Sequence, residues 1–225
     1  MEDEAQYKTH HAIINSAYGP ARLVSPEHHA YWIDTSSYRG RNIFEENKGT
    51  SKYNRFEAFT IVEMLRQIDE SYSEAGVQTA EVGVISFYAE QVRLIRELVR
   101  TKCRFKVVKC DINTVDRFQG KEKKIVVVSL VRNVPAGRHF DATFVKDYRR
   151  INVAMSRAQA LLLVVGAKDM YAEQEIVIEN MDNGKPLPPK KAYRDIIEML
   201  HMRGCYIMAE DVLGDTIDEA LFPEG

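Results

Sequence analysis

Apolar positions follow two alternating rhythms along this chain. From Asn54 onward Ala58, Ile61, Val62, Leu65 and Ile68 recur at helical spacing, with Glu63 and Arg66 off the stripe, which predicts an amphipathic helix. Glu81 to Phe87 reads as a strand, and Tyr88 to about Arg100 as a helix that turns Val92, Ile95, Leu98 and Val99 inward. Ile125–Leu130 and Leu161–Val165 are unbroken apolar runs, the pattern of strands buried on both faces, while Ala30–Asp34 and Phe105–Val108 predict shorter strands. Strands alternating with helices in this way predict an α/β fold: a doubly wound, mainly parallel sheet with helices on both faces.

Punctuation divides the chain into three. Residues 1–28 lack periodicity and end in the turn-like Tyr18-Gly19-Pro20 and Ser25-Pro26, so they read as a lead-in segment. Residues 29–180 form the main domain, in which the polar stretch Ser36–Ser51 reads as a loop or insertion. Residues 181–225 read as a C-terminal helical appendage: a Pro-rich break at 183–189, a helix over Ala192–Met202, then an acidic stretch from Gly204 without Lys or Arg. A length of 225 residues suits one domain of this class with an appendage.

Charge changes the picture only locally. The formal net charge is −2, so any contact with a polyanion must come from patches. The basic residues Arg93, Arg96, Arg100, Lys102, Arg104, Lys106 and Lys109 face only Glu97, and read either as a solvated helix face or as a hold on a phosphate backbone. Three cysteines at unrelated spacings suggest reduced thiols. An acidic N-terminus and the lack of a run of about 20 apolar residues predict a cytoplasmic protein without a membrane partner.

Two segments carry candidate chemistry. Arg149–Ala158 reads as a cationic helix that delivers Arg157 just before a buried strand, where a guanidinium can meet a transferring phosphate; the plainer reading is a surface arginine on an amphipathic helix. In Thr114–Glu122, Gly120 permits a tight turn and close approach to a ligand, or simply a hairpin turn. No metal site is expected: His10-His11 and His28-His29 are adjacent pairs whose side chains point apart, and no other ligand is spaced to complete them. Asp3–Gln6 lacks the strand a Mg²⁺-binding aspartate needs, and Asp69-Glu70 reads as helix surface. No G-x-x-x-x-G-K-[ST] loop occurs anywhere in the sequence.

Phe87–Gln91, Thr114–Glu122 and Arg149–Ala158, in that order, resemble motifs IV, V and VI of superfamily 1 helicases, in particular the group containing senataxin and the nonsense-mediated-decay helicase. The likeness extends from about Ser51 to Gly166 and implies a RecA-like domain of the P-loop NTPase type, the second motor domain of an ATP-dependent helicase. It implies Arg157 as the catalytic arginine, Gln119, Gly120, Glu122, Tyr88 and Gln91 as ATP contacts, with Glu122 on the ribose, and Thr114, Asp116 and Arg117 as nucleic-acid contacts. Ser156 stands where the family more often has threonine, Phe87 where it has proline, and Val92 where some members have an arginine that Arg93 misses by one place. ATP and Mg²⁺ would be bound mainly by a first, N-terminal RecA-like domain, with none expected on this fragment alone, which would be inactive by itself. The partners are then that domain and single-stranded DNA or RNA. The alternative is a non-catalytic RecA-like module that binds nucleic acid or protein.

Overall fold

A computed structural model describes residues 28–135, 137, 143–178 and 185–213. The lead-in segment lies outside the described residues except for His28, as do Asp3–Gln6, His10 and His11. The strands are β1 (Ala30–Asp34), β2 (Ser37–Tyr38), β3 (Arg41–Asn42), β4 (Glu46–Lys48), β5 (Ser51–Tyr53), β6 (Ala80–Ser86), β7 (Val108–Thr114), β8 (Lys123–Ser129), β9 (Ala158–Gly166) and β10 (Tyr206–Met208). The helices are α1 (Arg55–Glu74), α2 (Ala89–Lys102), α3 (Thr143–Lys146), α4 (Tyr148–Met155), α5 (Lys168–Tyr171), α6 (Ala192–Met202) and α7 (Ala209–Leu213), with a 3-10 turn at Val115–Phe118.

Six strands pair in the order β10-β1-β9-β8-β6-β7, every pair parallel. Parallel neighbours need crossovers, and right-handed crossovers fix the layers. The steps β1 to β6 to β7 run one way across the sheet and carry α1 and α2. The steps back through β8, β9 and β10 carry the 3-10 turn, α4 and α6, which therefore cover the other face. This is the doubly wound parallel α/β sheet expected, of RecA-like type. Residues 185–213 of the expected appendage supply α6, which packs on β1, and β10, which pairs with β1 at the sheet margin (Trp32 opposite Tyr206).

Local sequence explains the elements that set the site. Asn54 starts α1 by accepting the Glu57 N–H on its side chain at 3.1 Å, which satisfies one open donor of the first turn. The central strands β8 and β9 carry largely buried apolar runs, Ile125–Val128 and Ala160–Val165, whose side chains alternate between the two faces of the sheet. Gly83 on β6 lets the opposite layer come close, since a Cβ there would lie 2.6 Å from the Phe118 ring.

Three local expectations are corrected. The strand expected at Phe105–Val108 is observed at Val108–Thr114; as an edge strand it alternates apolar and polar residues and offers no unbroken apolar run. The stretch expected as a loop or insertion at Ser36–Ser51 is not an irregular loop: it carries two small antiparallel hairpins, β2–β3 and β4–β5, the second running on to Tyr53. Asp69 is not on the surface: it is buried, and its carboxylate accepts the backbone N–H groups of Lys106, Val107 and Val108 at 2.8–3.0 Å. Since Val108 N–H points away from β6, Asp69 also closes part of the open edge of the sheet.

Candidate nucleotide and nucleic-acid interface

The expected site residues divide between the two ends of the parallel strands. Thr114 closes β7 at the carboxyl end, and Asp116 and Arg117 lie exposed in the 3-10 turn beyond it. Residues 115–122 then descend across the sheet face, so that Gln119, Gly120 and Glu122 reach the amino end of β8, beside the amino end of β9. Arg157 stands there, in the two-residue joint between α4 and β9. The Lys123 N–H donates to the Arg157 carbonyl at 3.1 Å, and Gln159 donates to the exposed Glu122 carboxylate at 3.2 Å.

Gly120 belongs to neither a hairpin nor a helix. Phe118–Lys121 is a type II turn: Gln119 sits at φ −58, ψ 131, Gly120 at φ +79, and Lys121 N–H returns to the Phe118 carbonyl at 3.1 Å. The positive φ selects glycine and presents Gln119 and Glu122 to solvent next to Arg157.

The Arg157 side chain is half-buried and braced. Nε donates to the Val153 carbonyl at 3.1 Å and Nη2 to Ser156 Oγ at 2.9 Å. Among the described residues no carboxylate lies within ion-pair distance, so both partners fix the guanidinium without neutralising it. Ser156 retains the hydroxyl this bond uses. Arg150, on α4, pairs with Asp116 at 3.3 Å and ties the helix that leads to Arg157 to the turn that follows Thr114.

Tyr88 and Gln91 are at the opposite end of the sheet from this group, and the expected ATP contact is corrected for Gln91. Its side chain is fully buried: the amide oxygen accepts from Asn54 N at 2.8 Å, and Nε2 donates to the Asn54 carbonyl and to Ser129 Oγ. A ligand cannot reach an amide so enclosed. Tyr88 is buried too, and its hydroxyl accepts from Arg132 Nη1 at 3.4 Å. Arg93, one place late, is exposed and paired with Glu90 at 2.8 Å.

Tyr88 and Gln91 belong to a buried network that sequence reading missed. Glu45, Arg132 and Asn133 form its centre: Arg132 Nε donates to both Glu45 carboxylate oxygens at 2.9 and 2.8 Å, and Asn133 N to one of them at 2.9 Å. Between them and β8, Val131 has φ +74, and Arg132 N–H reaches the Leu130 carbonyl at 2.9 Å, closing a γ-turn. A β-branched residue at positive φ is strained, and the turn is held by Val131 N–H donating to Glu57 at 2.9–3.0 Å.

Glu57 has a pH signature. Burial pushes its carboxyl up to about 8, against the pull of the Ser129 and Val131 hydrogen bonds and with help from the Glu45 charge. The native state thus keeps a proton that the unfolded chain releases near the ordinary carboxylate range. The stabilisation from this group is complete below about pH 4.5, declines as the pH rises toward 8, and is lost above it. The melting temperature is expected to fall between pH 6 and pH 9, and Glu57→Gln, which is neutral throughout, to flatten that slope; an equal slope in both proteins would refute the assignment.

Residues 4–169 match the sequence model of the family described as "AAA domain". Over 156 residues, 69% of this chain and 10% of the relative, the sequence is 30% identical to the DNA replication ATP-dependent helicase/nuclease dna2 of Schizosaccharomyces pombe. It is 38% identical over 136 residues (60% of the chain, 19% of the relative) to the DNA polymerase alpha-associated DNA helicase A of Saccharomyces cerevisiae. To Helicase SEN1 of the same yeast it is 30% identical over 167 residues, 73% of the chain and 7% of the relative. The chain therefore spans less than a fifth of the length of each of these proteins. Among the described residues no helix is long and apolar enough to cross a membrane.

Proposed function

Because the chain belongs to the AAA domain family, as a C-terminal domain of the superfamily 1 helicase type, we propose that it is the second motor domain of an ATP-dependent helicase and works across a cleft on nucleotide held by a phosphate-loop domain. The observation that carries this reading is Arg157, charged, braced by neutral groups and set beside Glu122 and Gln119 at the open amino end of β8 and β9. In a closed cleft Arg157 would lie against the phosphates, where a planar guanidinium stabilises charge spread over the phosphoryl oxygens. Glu122 would accept a hydrogen bond from the ribose, with Gln119 and the Gly120 turn completing the nucleotide side.

ATP and Mg²⁺ would be held mainly by the partner domain, since this sequence has no phosphate loop. Bound ATP supplies the free energy of the cycle; this chain's residues orient it and sense its presence. Thr114, Asp116 and Arg117, at the other end of the sheet, would face the single-stranded track. The Arg150–Asp116 pair gives cleft closure a direct route to that end, because it links the Arg157 helix to the track segment.

The test compares the isolated chain with a protein that carries both motor domains. The isolated chain is expected to hydrolyse no ATP, and turnover should appear only when the phosphate-loop domain is joined to it. Hydrolysis by the isolated chain that Arg157→Ala abolishes would overturn the half-motor reading.

A further inference from the structure

The positively charged face of α2 is built in a way a merely solvated face does not require. Arg93, Arg96 and Arg100 recur at spacings of three and four residues, and Arg104 continues the stripe past the helix end, all exposed. Residues 93–109 hold seven basic residues and a single acidic one, Glu97, a local charge of +6 in a chain of net −2.

Arg93 is paired with Glu90, but Arg96 and Arg104 are braced by neutral groups. Arg96 Nε donates to the Ile112 carbonyl at 3.0 Å and Nη2 to Asn113 Oδ1 at 2.8 Å. Arg104 Nη1 donates to the carbonyls of Arg100 and Cys103 at 3.3 and 3.1 Å. Among the described residues Arg96, Arg100, Arg104 and Lys106 have no carboxylate within ion-pair distance. The turn that carries Arg104 and Lys106 is in turn fixed by the buried Asp69 carboxylate through three backbone N–H groups. Orientation is set while the charge stays available, as it does at Arg157.

We propose that this stripe extends the nucleic-acid track, holding the phosphodiester backbone of a single strand that passes Thr114. The stripe is continuous with the track end, because Arg96 grips the two residues just before Thr114. Aromatic rings are scarce on it: Phe59 lies under Lys102 at 5.2 Å, and Phe105 is half-buried. The contact is therefore with backbone rather than bases, independent of sequence and strongly dependent on salt. Continuity with the track favours nucleic acid over an acidic protein segment as the occupant. The proposal rests on the motor reading for its starting point, Thr114, but its test does not use ATP.

The experiment titrates the chain with labelled oligothymidylates of two lengths, about six residues and about thirty, across a salt series. Replacing Arg100, Arg104 and Lys106 together by alanine should weaken binding of the long strand at least about tenfold at low salt, and make the slope of log K against log salt shallower by about 2. The short strand, which ends at the Thr114 region, should be nearly indifferent. All three side chains are exposed, so an unchanged melting temperature verifies the fold, and charge reversal by Arg100→Glu with Lys106→Glu should deepen the loss. Unchanged affinity and slope for the long strand overturn the proposal, as does no binding by the unaltered chain. Poly-glutamate bound as tightly as oligothymidylate also overturns it and gives the surface to an acidic protein. Failure of the Arg157 experiment would leave a length-dependent loss here standing, and the reverse.

Discussion

Arg157→Ala, introduced into the protein that carries both motor domains, is expected to lower kcat for ATP hydrolysis by about 10³- to 10⁵-fold while leaving single-strand affinity nearly intact. The direction follows from where the guanidinium acts. Its nitrogens are held by Val153 O and Ser156 Oγ, bonds that aim it but do not use its charge, so on the proposed reading the charge would serve a phosphate brought by the partner domain. Thr114 and Arg117 lie at the other end of the strands, which is why binding of the track should be spared. Arg157→Lys should recover little, because a lysine ammonium lacks the planar fork that can keep one hydrogen on Val153 and present another to a phosphate. The side chain is half-buried and bonded to its own helix end, so the melting temperature should move by no more than an ordinary surface substitution would move it. A kcat within tenfold of the unaltered protein would sink the assignment, and loss of nucleic-acid binding in proportion to the loss of rate would make Arg157 a strand contact instead.

The parts of the fold legible in the sequence are those in which burial repeats with a period. β8 and β9 are central and covered on both faces, so their apolar runs are unbroken, and α1 shows its stripe because half of it faces the core. The edge strand β7 was shifted, since only alternate residues there are buried, and β10 has three residues, too few for any pattern. Around the proposed site, the tight turn at Gly120 and the place of Arg157 just before a buried strand were legible from glycine chemistry and the apolar run that follows. That Thr114 and Arg157 sit at opposite strand ends was not, because it depends on the descent of residues 115–122 across the sheet.

The buried polar residues were missed for a different reason. Glu57 and Asp69 lie on the apolar stripe of α1, Glu57 four residues before Ile61 and Asp69 four after Leu65, so the helical pattern contained the signal. A carboxylate on a core stripe is either a break in the pattern or a group with an internal partner. Here both have backbone N–H partners far along the chain, at Val131 and at Lys106–Val108. Only the fold brings those partners into reach.

The same holds for Glu45 and Arg132, and breaking that pair is expected to have the largest effect on stability. Their side chains are 6% and 3% exposed, joined at 2.8 Å, with Lys52 3.4 Å from Glu45 on its far side. Desolvating two charges costs several kcal/mol, and the pair offsets this only while both members remain. Glu45→Ala takes from the buried guanidinium the carboxylate that holds its Nε, frees Asn133 N–H from its side-chain acceptor, and weakens the hold of the β2–β5 segment on the end of β8. The expected cost is about 3–5 kcal/mol, which for a domain of this size lowers the melting temperature by roughly 6–20 °C. Replacing both residues by apolar side chains of similar size, Glu45→Leu with Arg132→Met, should cost less than Glu45→Ala alone, because the buried charge that Glu45 balances is then removed with it. Denaturant unfolding of Glu45→Ala, of the singles Glu45→Leu and Arg132→Met, and of their double variant decides the matter. A Glu45→Ala protein within about 1 kcal/mol of the original would show that the pair is dispensable, and a double variant as unstable as the sum of the singles would place the cost in lost packing rather than in the broken charge pair.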